Sequence, residues 1–86
     1  MNTRELTYII TIAEEKNLSR AAEKLYISQS ALSQHLRKVE ESINAPVFKY
    51  TNKKMELTDA GRIYLNGVRN IIALNREMEE ELSKLR

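Results

Sequence analysis

From Asp59 to Arg86, 28 consecutive residues contain no proline and only two glycines, Gly61 and Gly67, so nothing there stops a helix. Thr58 suits an N-cap, and Asp59 puts a carboxylate in the first turn, where the helix dipole favours it. At 1.5 Å per residue the helix would extend about 42 Å, more than a domain built from the preceding residues can cover. Part of it must therefore meet a partner. Tyr64, Val68, Ile71, Asn75, Met78, Leu82 and Leu85 alternate spacings of four and three, a heptad seam with one polar member. This is the pattern of pairing between two copies of the chain, and periodicity leaves parallel and antiparallel packing equally open. Asn75 either fixes the register of the seam or sits at its edge, bonded only to water.

The residues before this helix predict three shorter ones. Asn2 and Glu5 have the spacing of a capping box, and Leu6, Ile9, Ile10 and Ala13 follow at helical spacing in a helix that fades near Asn17. Ser19 is placed to cap a second, short helix with Ala21, Ala22 and Leu25 inward, and Tyr26 and Ile27 form a brief connection. Ser28 caps a third helix reaching about Ile43, with Leu32, Leu36, Val39 and Ile43 along one face. At about 100° per residue, Ser30, Ser33, Gln34 and Arg37 form a second stripe roughly 140° from the apolar one. One face anchors the helix in a core, and the other offers short hydrogen-bonding side chains to a partner or to water.

Asn44-Ala45-Pro46 ends the third helix, because Asn44 accepts a left-handed conformation and Pro46 cannot continue the helix. Val47 to Tyr50 and Met55 to Leu57 read as strands around Thr51-Asn52-Lys53-Lys54, a small hairpin with a basic tip. The expected fold class is mainly α: a winged helix-turn-helix of three helices and a two-stranded wing over residues 1–58, then a long dimerisation helix over 59–86.

Composition narrows the function. With no cysteine and a single histidine, His35, the chain has neither a disulfide framework nor the ligands of a zinc site. No glycine-rich phosphate loop or spaced catalytic cluster accompanies His35, so no catalytic residue, metal or cofactor is expected, and an exposed position or a phosphate contact is its expected role. No apolar run approaches the roughly 20 residues of a membrane span, and Met1 to Glu15 carries acids where an export signal would be basic and then apolar. A cytoplasmic protein without a membrane partner is expected. The net charge of +2 is uneven: Arg20 to Lys54 holds seven Lys or Arg against three acids, whereas Asp59 to Arg86 holds five of each. A phosphate backbone attracts such a basic patch in a salt-dependent way.

The local sequence is more specific than the architecture. Leu18-Ser19-Arg20-Ala21-Ala22-Glu23-Lys24-Leu25, followed by Ile27-Ser28-Gln29-Ser30-Ala31-Leu32-Ser33, resembles the N-terminal signature of LysR-type transcriptional regulators. Val39-Glu40-Glu41, Val47-Phe48 and Leu57-Thr58-Asp59-Ala60-Gly61 continue the likeness in the same order, so that it spans nearly all of Leu6 to Gly61. The resemblance implies sequence-specific binding of double-stranded DNA by a homodimer, with the third helix in the major groove. It makes Gln29, Ser30, Ser33 and Gln34 base-edge readers, with Arg37 and Lys38 nearer the phosphates and Arg20 and Ser28 in the same contacting set. Their chemistry suits this, since glutamine can pair two-point with adenine and serine can donate or accept. Lys53 and Lys54 would lie along the backbone or in the flanking minor groove. The family often has arginine where this chain has Tyr50 and Lys53, and glycine where it has Asn44. The resemblance also implies antiparallel pairing through the long helix and a larger effector-sensing domain after it, which these residues do not contain, so no small-molecule site is expected here. The competing reading is a winged-helix module that binds proteins through the exposed helix 59–86.

Overall fold

A computed structural model describes residues 3–86. The chain runs α1 (Leu6–Glu15), α2 (Leu18–Leu25), α3 (Gln29–Ile43), β1 (Phe48–Thr51), β2 (Lys54–Leu57) and α4 (Asp59–Ser83). The order is that of the winged helix-turn-helix with a long following helix. Principal extents of 50 × 27 × 20 Å reflect α4, whose outer half projects beyond the body. Among the described residues no helix is long and apolar enough to cross a membrane.

Three turns built on left-handed residues set the helix directions. Lys16 (φ 56°) ends α1, Tyr26 (φ 58°) ends α2 and Asn44 (φ 55°) ends α3. In each the amide of the turning residue returns to the last helical carbonyls, as that of Lys16 does to Ile12 O at 2.8 Å. Asn44 is at home in this conformation, whereas Lys16 and Tyr26 hold it against the usual crowding of a Cβ.

The N-caps hold one correction. Ser28 Oγ accepts the Ala31 amide at 3.1 Å and Thr58 Oγ1 accepts that of Gly61 at 2.9 Å, as the sequence predicts. The cap of α2 is Asn17 instead of Ser19: its extended backbone lets Oδ1 accept the Arg20 amide at 2.9 Å. Ser19 then falls inside the first turn, and its hydroxyl is free for another partner. Asn2 lies outside the described residues, and Glu5, the N-cap of α1, forms no capping bond through its side chain.

The core gathers Ile9 and Ile12 from α1, Ala21 and Ala22 from α2, and Leu32, Leu36 and Val39 from α3, with Val47 and Leu65. Each large aliphatic side chain buried here contributes about 1.5–3 kcal/mol of transfer free energy. Ala21 and Ala22 let α3 lie close across α2 because they have no bulk beyond Cβ.

The wing is one residue longer at its tip than the sequence suggests. Phe48 pairs with Leu57 and Thr51 with Lys54, leaving Asn52 and Lys53 as a two-residue turn with φ of 51° and 63°. Positive φ at both central residues matches the twist of the strands. Val47, expected in the strand, is instead fully buried below it, with its amide donating to Glu40 Oε2 at 2.8 Å and its carbonyl accepting from Thr58 N at 3.0 Å. Gly61 passes over this carbonyl so closely that a Cβ would lie 2.1 Å from Val47 O. Gly67 has open space around it.

Gly61, Leu65 and Val68 seat the first turns of α4 on the body. Val68 is only 2% exposed, and Tyr64 is partly buried against the core. Of the expected seam, Val68 is thus covered by its own chain and Tyr64 in part, and the exposed apolar positions begin at Ile71. Beyond Val68 no residue of α4 is buried.

Candidate nucleic-acid interface

Helix α3 turns its apolar face, Leu32, Leu36 and Val39, into the core, and the 3.6-residue period carries the intervening side chains outward. Gln29, Ser30, Ser33, Gln34 and Arg37 line one shallow, open hollow along this outer face. Ser33 is half-buried and the other four are exposed, so the chain covers none of them fully. Ser28, which caps the helix, also lies within 3.3 Å of Ser30 through the two hydroxyls. Lys38 stands on the flank of α3, lining with Gln34 and His35 a second hollow against α1, where the rings of Tyr8 and His35 meet edge-on at 5.0 Å.

The Ser19 hydroxyl, freed from capping, donates to Gln29 Oε1 at 2.7 Å and ties the start of α2 to the start of α3. On its other side Ser19 borders a cleft with Lys16, Asn17, Tyr50 and Lys53. The wing reaches this place because the Met55 amide donates to Lys16 O at 3.2 Å, holding β2 against the α1–α2 junction. Of the expected contacting residues, Gln29, Ser30, Ser33, Gln34 and Arg37 are thus brought together, and Lys53 stands beside them across Ser19. Arg20 and Lys54 are exposed but line none of these hollows.

The sequence does not single out Lys16, and it marks Tyr50 only as a departure from the family's usual arginine. The proximity of Lys16 to Lys53 depends on how a helix junction meets a hairpin more than thirty positions away, and no local pattern reports it.

The outer face of α4 is apolar where it leaves the body: Ile71 is 46% and Met78 41% exposed, and they flank a groove with Leu74 and Asn75. Asn75 Oδ1 is buried without a hydrogen-bond partner. Leu82 and Leu85 continue the apolar face outward. On the body side, burial pushes the Tyr64 phenol above its ordinary pKa.

Residues 3–62 match the family described as "Bacterial regulatory helix-turn-helix protein, lysR family". The chain belongs to the lysR family. This LysR-family chain is 37% identical over 75 residues to the HTH-type transcriptional regulator BudR of Klebsiella aerogenes, covering 87% of the chain and 52% of BudR. It is 41% identical over 69 residues to the HTH-type transcriptional regulator AlsR of Bacillus subtilis, covering 80% of the chain and 23% of AlsR. The LysR-family chain therefore spans about half the length of one relative and about a quarter of the other. A solved CbnR_DBD–DNA complex superposes with a TM-score of 0.84 at 29% identity, covering the whole of both chains. The relatives are named as transcriptional regulators, and the family is not one of enzymes.

Proposed function

We propose that this chain binds double-stranded DNA sequence-specifically, as a homodimer, in a bacterial transcription regulator acting in the cytoplasm. The observation that carries this is the outward face of α3, where Gln29, Ser30, Ser33, Gln34 and Arg37 share one uncovered surface. A helix fits the major groove of B-form DNA, and amide and hydroxyl side chains there meet the donor and acceptor pattern of the base edges. Arg37 and Lys38 lie toward the phosphates, with Arg20 and Ser28 at the approach to the same groove and Lys53 and Lys54 on the wing. The likeness to CbnR_DBD, solved with DNA, supports the same docking. Residues 1–58 form the reading unit, and 59–86 supply the pairing helix, whose Ile71, Asn75, Met78, Leu82 and Leu85 face a second copy.

Selection of bound sequences from random duplexes, followed by affinity measurements over a range of salt, tests the reading. The expected result is a preferred site with two half-sites and an affinity that falls as salt rises. Binding indifferent to sequence and to salt would refute it in favour of a protein-interaction module acting through α4.

A further inference from the structure

Helices α3 and α4 are tied together through the short strap of residues 44–47, and among the described residues no hydrogen bond joins the two helices directly. Glu40 of α3 grips the strap at two points. Its carbonyl accepts the Ala45 amide at 3.1 Å, and its carboxylate Oε2 accepts the Val47 amide at 2.8 Å. Pro46, between these two, has no amide to offer. Val47 is fully buried, so its amide depends on this carboxylate, and losing the bond would leave a buried donor unsatisfied. Among the described residues no cation pairs with Glu40, and its carboxylate is committed to the strap.

The far side of the strap is bonded to the base of α4. Val47 O accepts the Thr58 amide at 3.0 Å, while the Thr58 hydroxyl donates to Pro46 O at 2.6 Å and accepts the Gly61 amide at 2.9 Å. Gly61 lies so near Val47 O that the first turn of α4 rests on that carbonyl. One residue, Val47, therefore meets α3 through its amide and α4 through its carbonyl, and a shift of it tilts α4 against α3. The lever is long: Asn75 lies about 24 Å along α4 from Asp59, so a tilt of about 10° moves it by about 4 Å, comparable to the rise of about 3.4 Å per base pair.

We propose that Glu40 is a positioning residue that sets the separation of the two DNA half-sites, acting through Val47 on the angle between α3 and α4. This rests on the dimeric DNA-binding reading above and adds to it the bond that fixes how far apart two reading faces stand. The role needs no contact between Glu40 and DNA. Sequence within a half-site is left to the outer face of α3, and the separation follows from the geometry of the chain alone.

The test uses the 86-residue chain and fluorescent duplexes carrying one selected half-site, or two at separations varied one base pair at a time. Wild type should favour one separation. Glu40→Ala should keep its affinity for the single half-site, while its preference for the best separation over the neighbouring ones falls about fivefold. Glu40→Gln, whose amide oxygen can accept the same bond, should restore the preference. Glu40→Asp, a methylene too short to reach Val47, should lose it with the charge kept, and serves in place of Glu40→Ala if circular dichroism shows that variant unfolded. An unaltered spacing profile in the folded variant, with affinity lowered equally at every separation, would overturn the role of Glu40 alone. A wild-type chain that bound no duplex, or bound all separations equally, would overturn it together with the reading it rests on.

Discussion

Ser19 Oγ and Gln29 Oε1 are joined by a 2.7 Å hydrogen bond that spans the turn of the helix-turn-helix. The bond takes one of the two lone pairs of the Gln29 carboxamide oxygen and fixes where that oxygen sits. A glutamine that reads adenine two-point presents its donor and its acceptor to one base edge, and with Oε1 held toward Ser19 the N–H donors of Gln29 are favoured for edges that accept, as guanine O6 and N7 do. Gln34 has no such constraint. Ser19→Ala should release Oε1 and shift the selected base opposite Gln29 toward adenine, by about 1 kcal/mol of discrimination. An unchanged selection profile would show that the bond does not govern readout.

Readers and phosphate contacts should separate in mutants. Ser33→Ala or Gln34→Ala is expected to flatten preference among duplexes by about 1–3 kcal/mol at one position while leaving the salt slope alone. Lys53→Ala should weaken binding to every sequence and reduce the slope by about one. Competition between matched and mismatched duplexes at two salt concentrations distinguishes these outcomes.

The two glycines of α4 should respond oppositely to alanine. At Gly61 a Cβ would press on the Val47 carbonyl, a backbone atom held by Thr58, so Gly61→Ala should destabilise the fold by about 1–3 kcal/mol. At Gly67 nothing lies within 4 Å, and Gly67→Ala should stabilise the helix by about 0.5–1 kcal/mol. Urea denaturation of both variants checks the pair.

Self-association should depend on the exposed part of α4. Ile71→Glu would set a carboxylate into an apolar contact, weakening dimerisation about a hundredfold or more by sedimentation and lowering operator affinity with it. Asn75→Leu removes a buried oxygen that has no partner within one chain and should tighten pairing while relaxing its register.

Alkaline pH should weaken the fold through Tyr64. Burial raises its pKa above 10.0, so the folded chain keeps the phenolic proton to higher pH than the unfolded chain does. The resulting stability is whole below about pH 10 and is lost as pH rises through the folded value. Exposure of much of the side chain keeps the effect small. The urea midpoint of wild type should therefore fall faster than that of Tyr64→Phe above about pH 10.

Local chemistry was enough to read the helices, their order and the two faces of α3, because a period of 3.6 and a capping hydroxyl act within a few residues of themselves. Leu32, Leu36 and Val39 point inward in α3 as that period requires. Where two polar residues compete for one cap, as Asn17 and Ser19 do, the choice falls to backbone geometry, and Asn17 prevails because it alone is extended. Tertiary structure decided which apolar positions of α4 are spent at home. Val68 and Ile71 are equivalent in the heptad pattern, yet Val68 is covered by its own chain and Ile71 is left open, since periodicity marks a residue as apolar without naming the surface that will cover it. The same holds for Gly61, whose need for a bare Cα arises only from Val47 O, and for Lys16 and Lys53, which share a cleft because a hairpin amide reaches back to a helix end.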